Sequence, residues 1–139
     1  MGAGKFKGHN VNVIGNHEEQ GMDLIELFGH ETNLKVLAAG QTLFKEGETG
    51  DLMYILMAGT AEIRVKNKVV EYAEAGAIVG EMGMIDEGTR SATVMAKSDC
   101  KFLPVNRNLF DRHVLHTPGF AQHVMLVIAD RLRRADARM

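Results

Sequence analysis

The sequence predicts a mainly β fold with flanking helices: an antiparallel β jelly-roll barrel with a short helix before it and two helices after it. Three observations carry this expectation. Gly40, Gly47, Gly50, Gly59, Gly76, Gly80 and Gly88 cut the middle of the chain into short runs, which suits strands joined by turns better than parallel strands joined by crossover helices. One of these runs, Thr60 to Lys66, alternates Ala61, Ile63 and Val65 with Glu62, Arg64 and Lys66, the period of a strand with one dry and one wet face. Helical spacing is confined to the ends of the chain.

The elements follow in order. Residues 1–21 are polar, glycine-bearing and without period, and read as a flexible lead to a single domain over residues 22–139. Leu24, Ile25, Leu27 and Phe28 make a short amphipathic helix that Gly29 can end. Ile63 and Val65 are expected to point into the barrel. Near the end, Asn106 can cap a helix carrying Leu109, Phe110 and Val114. Thr117-Pro118 then reads as an N-cap followed by a proline at the first helical position. The helix it opens has an apolar stripe of Phe120, Val124, Val127, Ile128 and Leu132, which reads first as a stripe packed on the core. Arg131, Arg133, Arg134 and Arg138 read as its solvated end, with cations opposing the helix dipole.

Composition removes several classes of function. With 139 residues, 45% hydrophobic and 24% charged, the chain is an ordinary globular domain, neither disordered nor fibrous. A net charge of -2 gives no overall field for nucleic acid. One cysteine, Cys100, excludes an internal disulfide and is expected to pack in a strand. No apolar run approaches the ~18 residues of a membrane span, and the N-terminus lacks a signal-peptide core, so a cytoplasmic location is expected. Gly2 has Phe6 where myristoylation needs Ser or Thr. Gly2-Ala3-Gly4-Lys5 has neither the preceding strand nor the following hydroxyl of a phosphate loop. His113 and His116 have chelating spacing but no partner ligands, so no metal site is expected. A metalloenzyme on this plan needs histidines on inward strands, and none lies between Glu31 and Arg112. No nucleophile elbow occurs; catalytic residues are expected to be absent.

One segment carries chemistry. Between Val79 and Val94 a carboxylate and a guanidinium flank a glycine-rich turn within an apolar frame. Gly80 permits close approach of backbone and ligand, and Glu81 opens Met82-Gly83-Met84-Ile85, enough for one helical turn. Arg90 offers a planar fork that matches two phosphate oxygens, with the hydroxyl and amide of Ser91 beside it. A carboxylate accepts but does not donate hydrogen bonds, so Glu81 suits a sugar hydroxyl. Together the pair describes a ribose phosphate.

Gly80-Glu81, small Gly83, aliphatic Met84-Ile85 and Arg90-Ser91-Ala92-Thr93-Val94 resemble the phosphate-binding cassette of cyclic-nucleotide-binding domains, found in catabolite activators, kinase regulatory subunits and gated channels. The resemblance extends through Gly40 to Leu56 and Gly59, and covers roughly Leu24 to Arg134. It implies that Glu81 binds the ribose 2′-hydroxyl, that Arg90 binds the exocyclic phosphate oxygens, and that Ser91 and Ala92 add phosphate contacts. The implied ligand-binding set is Gly80, Glu81, Met82, Arg90, Ser91 and Ala92 from the cassette, Ile63 and Val79 from the barrel, and Ile128 and Leu132 from the last helix acting as a lid on the purine. Val79 stands where many members carry an aromatic residue, a packing change that leaves the polar contacts possible. Serine at position 91, where some kinase members use threonine to favour guanine, points to cyclic AMP over cyclic GMP.

Two classes of function remain. The first is a non-catalytic sensor that binds a cyclic nucleotide, needs no cofactor, and signals through its last helix to a protein effector without contacting nucleic acid or membrane. The second is a piece of a cyclic-nucleotide-regulated transcription factor or channel; a DNA-binding regulator would need a helix-turn-helix after the lid helix, and the sequence stops at Met139 without one.

Overall fold

The computed structural model describes residues 12–14, 22–86 and 88–139. Of the expected 1–21 lead, only Asn12–Ile14 is therefore described; Gly2, Lys5 and Phe6 lie outside the described residues. The elements run β1 Asn12–Ile14, α1 Leu24–Leu27, β2 Lys35–Leu37, β3 Thr42–Phe44, β4 Met53–Ala58, β5 Ala61–Val65, β6 Lys68–Ala73, β7 Ile78–Val79, α2 Met82–Ile85, β8 Thr93–Ala96, β9 Cys100–Val105, α3 Arg107–His116 and α4 Phe120–Arg138. Two sheets face each other, ordered β1-β6-β5-β8-β3 and β2-β9-β4-β7. β1 lies parallel to β6, and every other pairing is antiparallel. This is the jelly-roll barrel with one helix before it and two after it.

The two sheets differ in what covers them. β4 is buried along Met53, Tyr54, Ile55 and Leu56. Successive strand residues point to opposite faces, so such a run requires cover on both. Tyr54 and Leu56 join the barrel interior with Phe44, Ile63, Val94 and Phe102. Met53 and Ile55 join a second cluster, outside the barrel, with Leu24, Phe28, Phe110, Phe120 and Val124. The helices thus pack on the β4 sheet and leave the interior partly open towards β5, β6 and β8. Ile63 is buried as expected, but Val65 is only half-buried, because a groove and not packed core lies beside it.

Helix boundaries depend on caps. Asp23 accepts a hydrogen bond from the Glu26 amide and caps α1. Asn106 caps α3 through the Leu109 amide, as its position predicts. The expected start of the last helix at Thr117-Pro118 is corrected. Thr117 closes α3, donating its amide to the His113 carbonyl, and α4 begins at Phe120 after Gly119 at φ +85°. That left-handed turn suits glycine and sets the angle at which α4 leaves α3. His113 fills the corner, with its ring 4.6 Å from Phe28 and 5.6 Å from Phe120 and Nδ1 2.7 Å from the Thr117 hydroxyl. Burial and the neighbouring Arg112 push its pKa below the usual value. No helix among the described residues is long and apolar enough to cross a membrane.

Candidate functional site

The cassette is built by backbone constraints before any side chain acts. Gly80 sits at φ +74°, and a Cβ there would come within 2.7 Å of Arg90 Nη1. Glycine thus serves two needs at once, the left-handed backbone and room for the guanidinium. Glu81 follows as the N-terminal boundary of α2 and is 6% exposed. Arg90 is fixed from the other side: its amide donates to the Glu48 carbonyl at 2.7 Å, and its carbonyl accepts from the Gly47 amide at 2.9 Å. Its guanidinium carbon lies over the Phe44 ring, 4.1 Å from the centroid. A Cβ on Gly50 would fall within 2.5 Å of it. The upstream turn therefore exists to carry Arg90, a role that glycine punctuation alone does not reveal.

Electrostatically, Arg90 is the anomaly. It is 7% exposed. The polar contact of its side chain is a long one, Nη1 to the Gly80 carbonyl at 3.4 Å, and Nε has no hydrogen-bond partner among the described residues. An unpaired buried cation costs several kcal/mol, and an anion in the adjoining cavity would offset that cost. The cavity has a volume of about 50 Å³ and is lined by Ile63, Val79, Gly80, Glu81, Met82, Arg90, Ser91 and Ala92, together with Phe44, Thr89 and Arg131. That is a small space, of the order of a few water molecules. It adjoins a larger groove of about 370 Å³, lined by Ile63, Val65, Val70, Glu71, Ile128 and Leu132. Glu81, Met82, Ser91, Ala92 and Arg131 border both spaces. The structure thus places all ten expected residues along one continuous cleft, with Ile128 and Leu132 on its groove side.

The C-terminal arginines depart from expectation. The solvated-end reading is corrected for Arg131 and Arg134, which turn inward. Arg131 Nη1 donates to Glu81 Oε1 at 2.6 Å, Nη2 to the Ile78 carbonyl at 2.7 Å, and Nε to Glu71 Oε2 at 3.2 Å. Arg134 Nη1 lies 3.6 Å from Glu71 Oε1, and its Nη2 pairs with Asp130 at 2.6 Å. Burial acts to lower the Arg131 pKa, but Glu81 and Glu71 outweigh it and hold the guanidinium above its usual value. α4 is therefore joined to the cassette by a buried ion pair. Glu71, itself 3% exposed, sits opposite Ile63 in the β5–β6 register. Sequence reasoning missed both residues; the remaining signal was an isolated Glu on an apolar strand.

Other candidates stay apart from this cleft. Cys100 is buried in β9, its thiol donating to the Thr60 carbonyl, and burial raises its pKa. Among the described residues no group of three or more His, Cys, Asp or Glu is placed to hold a metal.

The sequence model of the cyclic nucleotide-binding domain family matches residues 34–116. The chain is similar to a cGMP-dependent protein kinase of Eimeria tenella, 38% identical over 86 residues, covering 62% of this chain and 8% of the kinase. It is 26% identical over 121 residues to the cAMP-activated global transcriptional regulator CRP of Pasteurella multocida (strain Pm70), covering 83% of this chain and 58% of that one. The crystal structure of the catabolite activator protein of Thermus thermophilus superposes with a TM-score of 0.69 at 25% identity, over 96% of this chain and 60% of that one. The chain thus spans less than two thirds of the length of each.

Proposed function

Because this chain belongs to the cyclic nucleotide-binding domain family, we propose that it is a non-catalytic sensor whose cleft takes a 3′,5′-cyclic nucleotide, cyclic AMP in preference to cyclic GMP, with α4 as the lid that passes occupancy to a protein effector. One observation carries the reading: a buried guanidinium, Arg90, faces the small end of the cleft without a carboxylate partner among the described residues. The cyclic phosphate supplies the missing charge. The sugar follows at Glu81, whose carboxylate accepts one described hydrogen bond, from Arg131 on Oε1, which leaves Oε2 to accept from the 2′-hydroxyl. The base lies in the apolar groove against Ile63, Ile128 and Leu132, where its burial contributes roughly 25 cal/mol per Å². Ser91 beside the phosphate supports cyclic AMP over cyclic GMP. The buried Arg131–Glu81 pair supports α4 as the moving part, since it ties the helix to a ligand-binding carboxylate.

A second ligand preference has its own support, because the Eimeria kinase to which the chain is similar is named for cGMP. Titration calorimetry with both nucleotides decides between them. The expected outcome is saturable binding of both, tighter for cyclic AMP. Tighter cyclic GMP would reverse the preference, and no heat with either would remove the sensor reading.

A further inference from the structure

Glu71 lies outside the cassette and outside the small cavity that holds Arg90, yet it is the more deeply buried of the two carboxylates that meet Arg131, at 3% against 6% for Glu81. Such burial is costly unless the charge is paired. Among the described residues its pairing comes from one helix: Arg131 at 3.2 Å on one oxygen and Arg134 at 3.6 Å on the other, three residues apart on α4 and hence on the same face. Glu71 is therefore the fixed point on the barrel against which α4 is oriented. The same contact has a consequence at the cassette. An arginine fork is planar and rigid, so fixing Nε on Glu71 and Nη2 on the Ile78 carbonyl determines where Nη1 points. It points at Glu81 Oε1, 2.6 Å away.

Resting on the reading of Glu81 as the sugar-binding carboxylate, we propose that Glu71 is a positioning residue for ligand binding. It sets Arg131, Arg131 sets Glu81, and Oε2 of Glu81 is thereby presented to the 2′-hydroxyl only while α4 is docked. Lid docking and capture of the sugar hydroxyl become one event. A nucleotide without that hydroxyl should gain little from a docked lid, whereas a ribonucleotide gains the full hydrogen bond. Glu71 lines the groove, but its role in this scheme is carried by Arg131 and needs no contact with the ligand.

The test uses the full chain with cyclic AMP and its 2′-deoxy analogue, and hydrogen exchange of α4 without ligand. The unaltered protein should prefer cyclic AMP by roughly tenfold or more, the weight of one hydrogen bond to a charged group. In Glu71→Gln, which keeps the shape and removes the charge, that ratio should fall towards one, and exchange across Arg131 to Arg134 should accelerate. Arg131→Lys, which cannot span three acceptors, should reproduce the collapsed ratio even where Glu71→Gln folds poorly. A ratio that stays at its original value in both variants would make Glu71 a purely structural ion-pair partner and overturn the proposal. Unchanged α4 exchange in Glu71→Gln would also overturn it, and needs no ligand. Failure of the unaltered protein to bind either nucleotide would instead remove the sensor reading on which the proposal rests.

Discussion

The cassette turn and the C-terminal helix both deliver an arginine to the same cleft, and they do so by opposite means. Arg90 reaches it from nine residues beyond Glu81 (90 minus 81), pinned by a neighbouring turn and left without a carboxylate partner among the described residues. Arg131 comes from 50 residues beyond Glu81 and 60 beyond Glu71, and is fully engaged by both. A buried cation with no carboxylate beside it is prepared for a ligand, whereas one held by two carboxylates holds the protein together. The contrast predicts that the two arginines exchange roles when mutated: one removes binding and spares stability, the other does the reverse first.

Arg131→Ala carries the largest expected effect, because it leaves Glu71 and Glu81 buried without their shared cation. Breaking a buried pair from one side costs about 3–5 kcal/mol, so denaturant unfolding should show a loss of that order. A loss well below about 1 kcal/mol would place Arg131 with the exposed arginines of the helix end, and the contrast would fail.

Arg90→Ala is expected to act on affinity instead. Leaving the ligand's phosphate without its cation should cost about 2–5 kcal/mol, or very roughly 30-fold to a few thousand-fold in the dissociation constant. Stability without ligand should not fall, since no ion pair is broken and the desolvation cost of a buried, unpaired cation is removed. Titration with cyclic AMP and urea unfolding of the same preparation read both quantities. Unchanged affinity would reject the phosphate assignment.

The two arginines also differ in how far the sequence could reveal them. The cassette is local: Gly80, Glu81, Arg90 and Ser91 fall within one turn and the start of one strand, and their chemistry can be argued from spacing alone. The antiparallel barrel was legible for the same reason, since alternation at Ala61, Ile63 and Val65 and the capping Asn106 are short-range patterns. What packs against α4 is set by the tertiary fold. Arg131 and Arg134 near a helix end look identical whether water or a buried Glu71 faces them, and helix-dipole chemistry favoured water. Thr117-Pro118 misled similarly, because a threonine before a proline can close one helix as readily as open the next. The left-handed Gly119 decided it. Gly50 read as turn punctuation; only the path of the Arg90 side chain explains it.

Glu81→Ala sharpens the comparison from the carboxylate side, with an effect of about 1.5–3 kcal/mol on cyclic AMP affinity, the range for a hydrogen bond to a charged group. The 2′-deoxy analogue should lose much less, which competition binding would show. Equal losses for the two ligands would mean that Glu81 serves to seat Arg131 and does not meet the sugar.

The smallest expected effect is on pH dependence at the α3–α4 corner. His113 has a folded pKa below its ordinary 6.5, so the neutral form is the one the fold prefers. Its contribution is present above about pH 6.5, declines as pH falls from there towards the folded value, and is flat below it. Replacing His113 with Gln should remove that slope from the stability-versus-pH curve below about pH 6.5. An unaltered slope would assign it to other groups.

A structure of the chain crystallised with cyclic AMP tests the central claim most directly. The account predicts the exocyclic phosphate oxygens within about 2.7–2.9 Å of the Arg90 guanidinium, the 2′-hydroxyl on Glu81 with Arg131 still on its other oxygen, and the purine between Ile63 and the Ile128–Leu132 face of α4. A nucleotide seated elsewhere, with Arg90 still lying unpaired over Phe44, would contradict it.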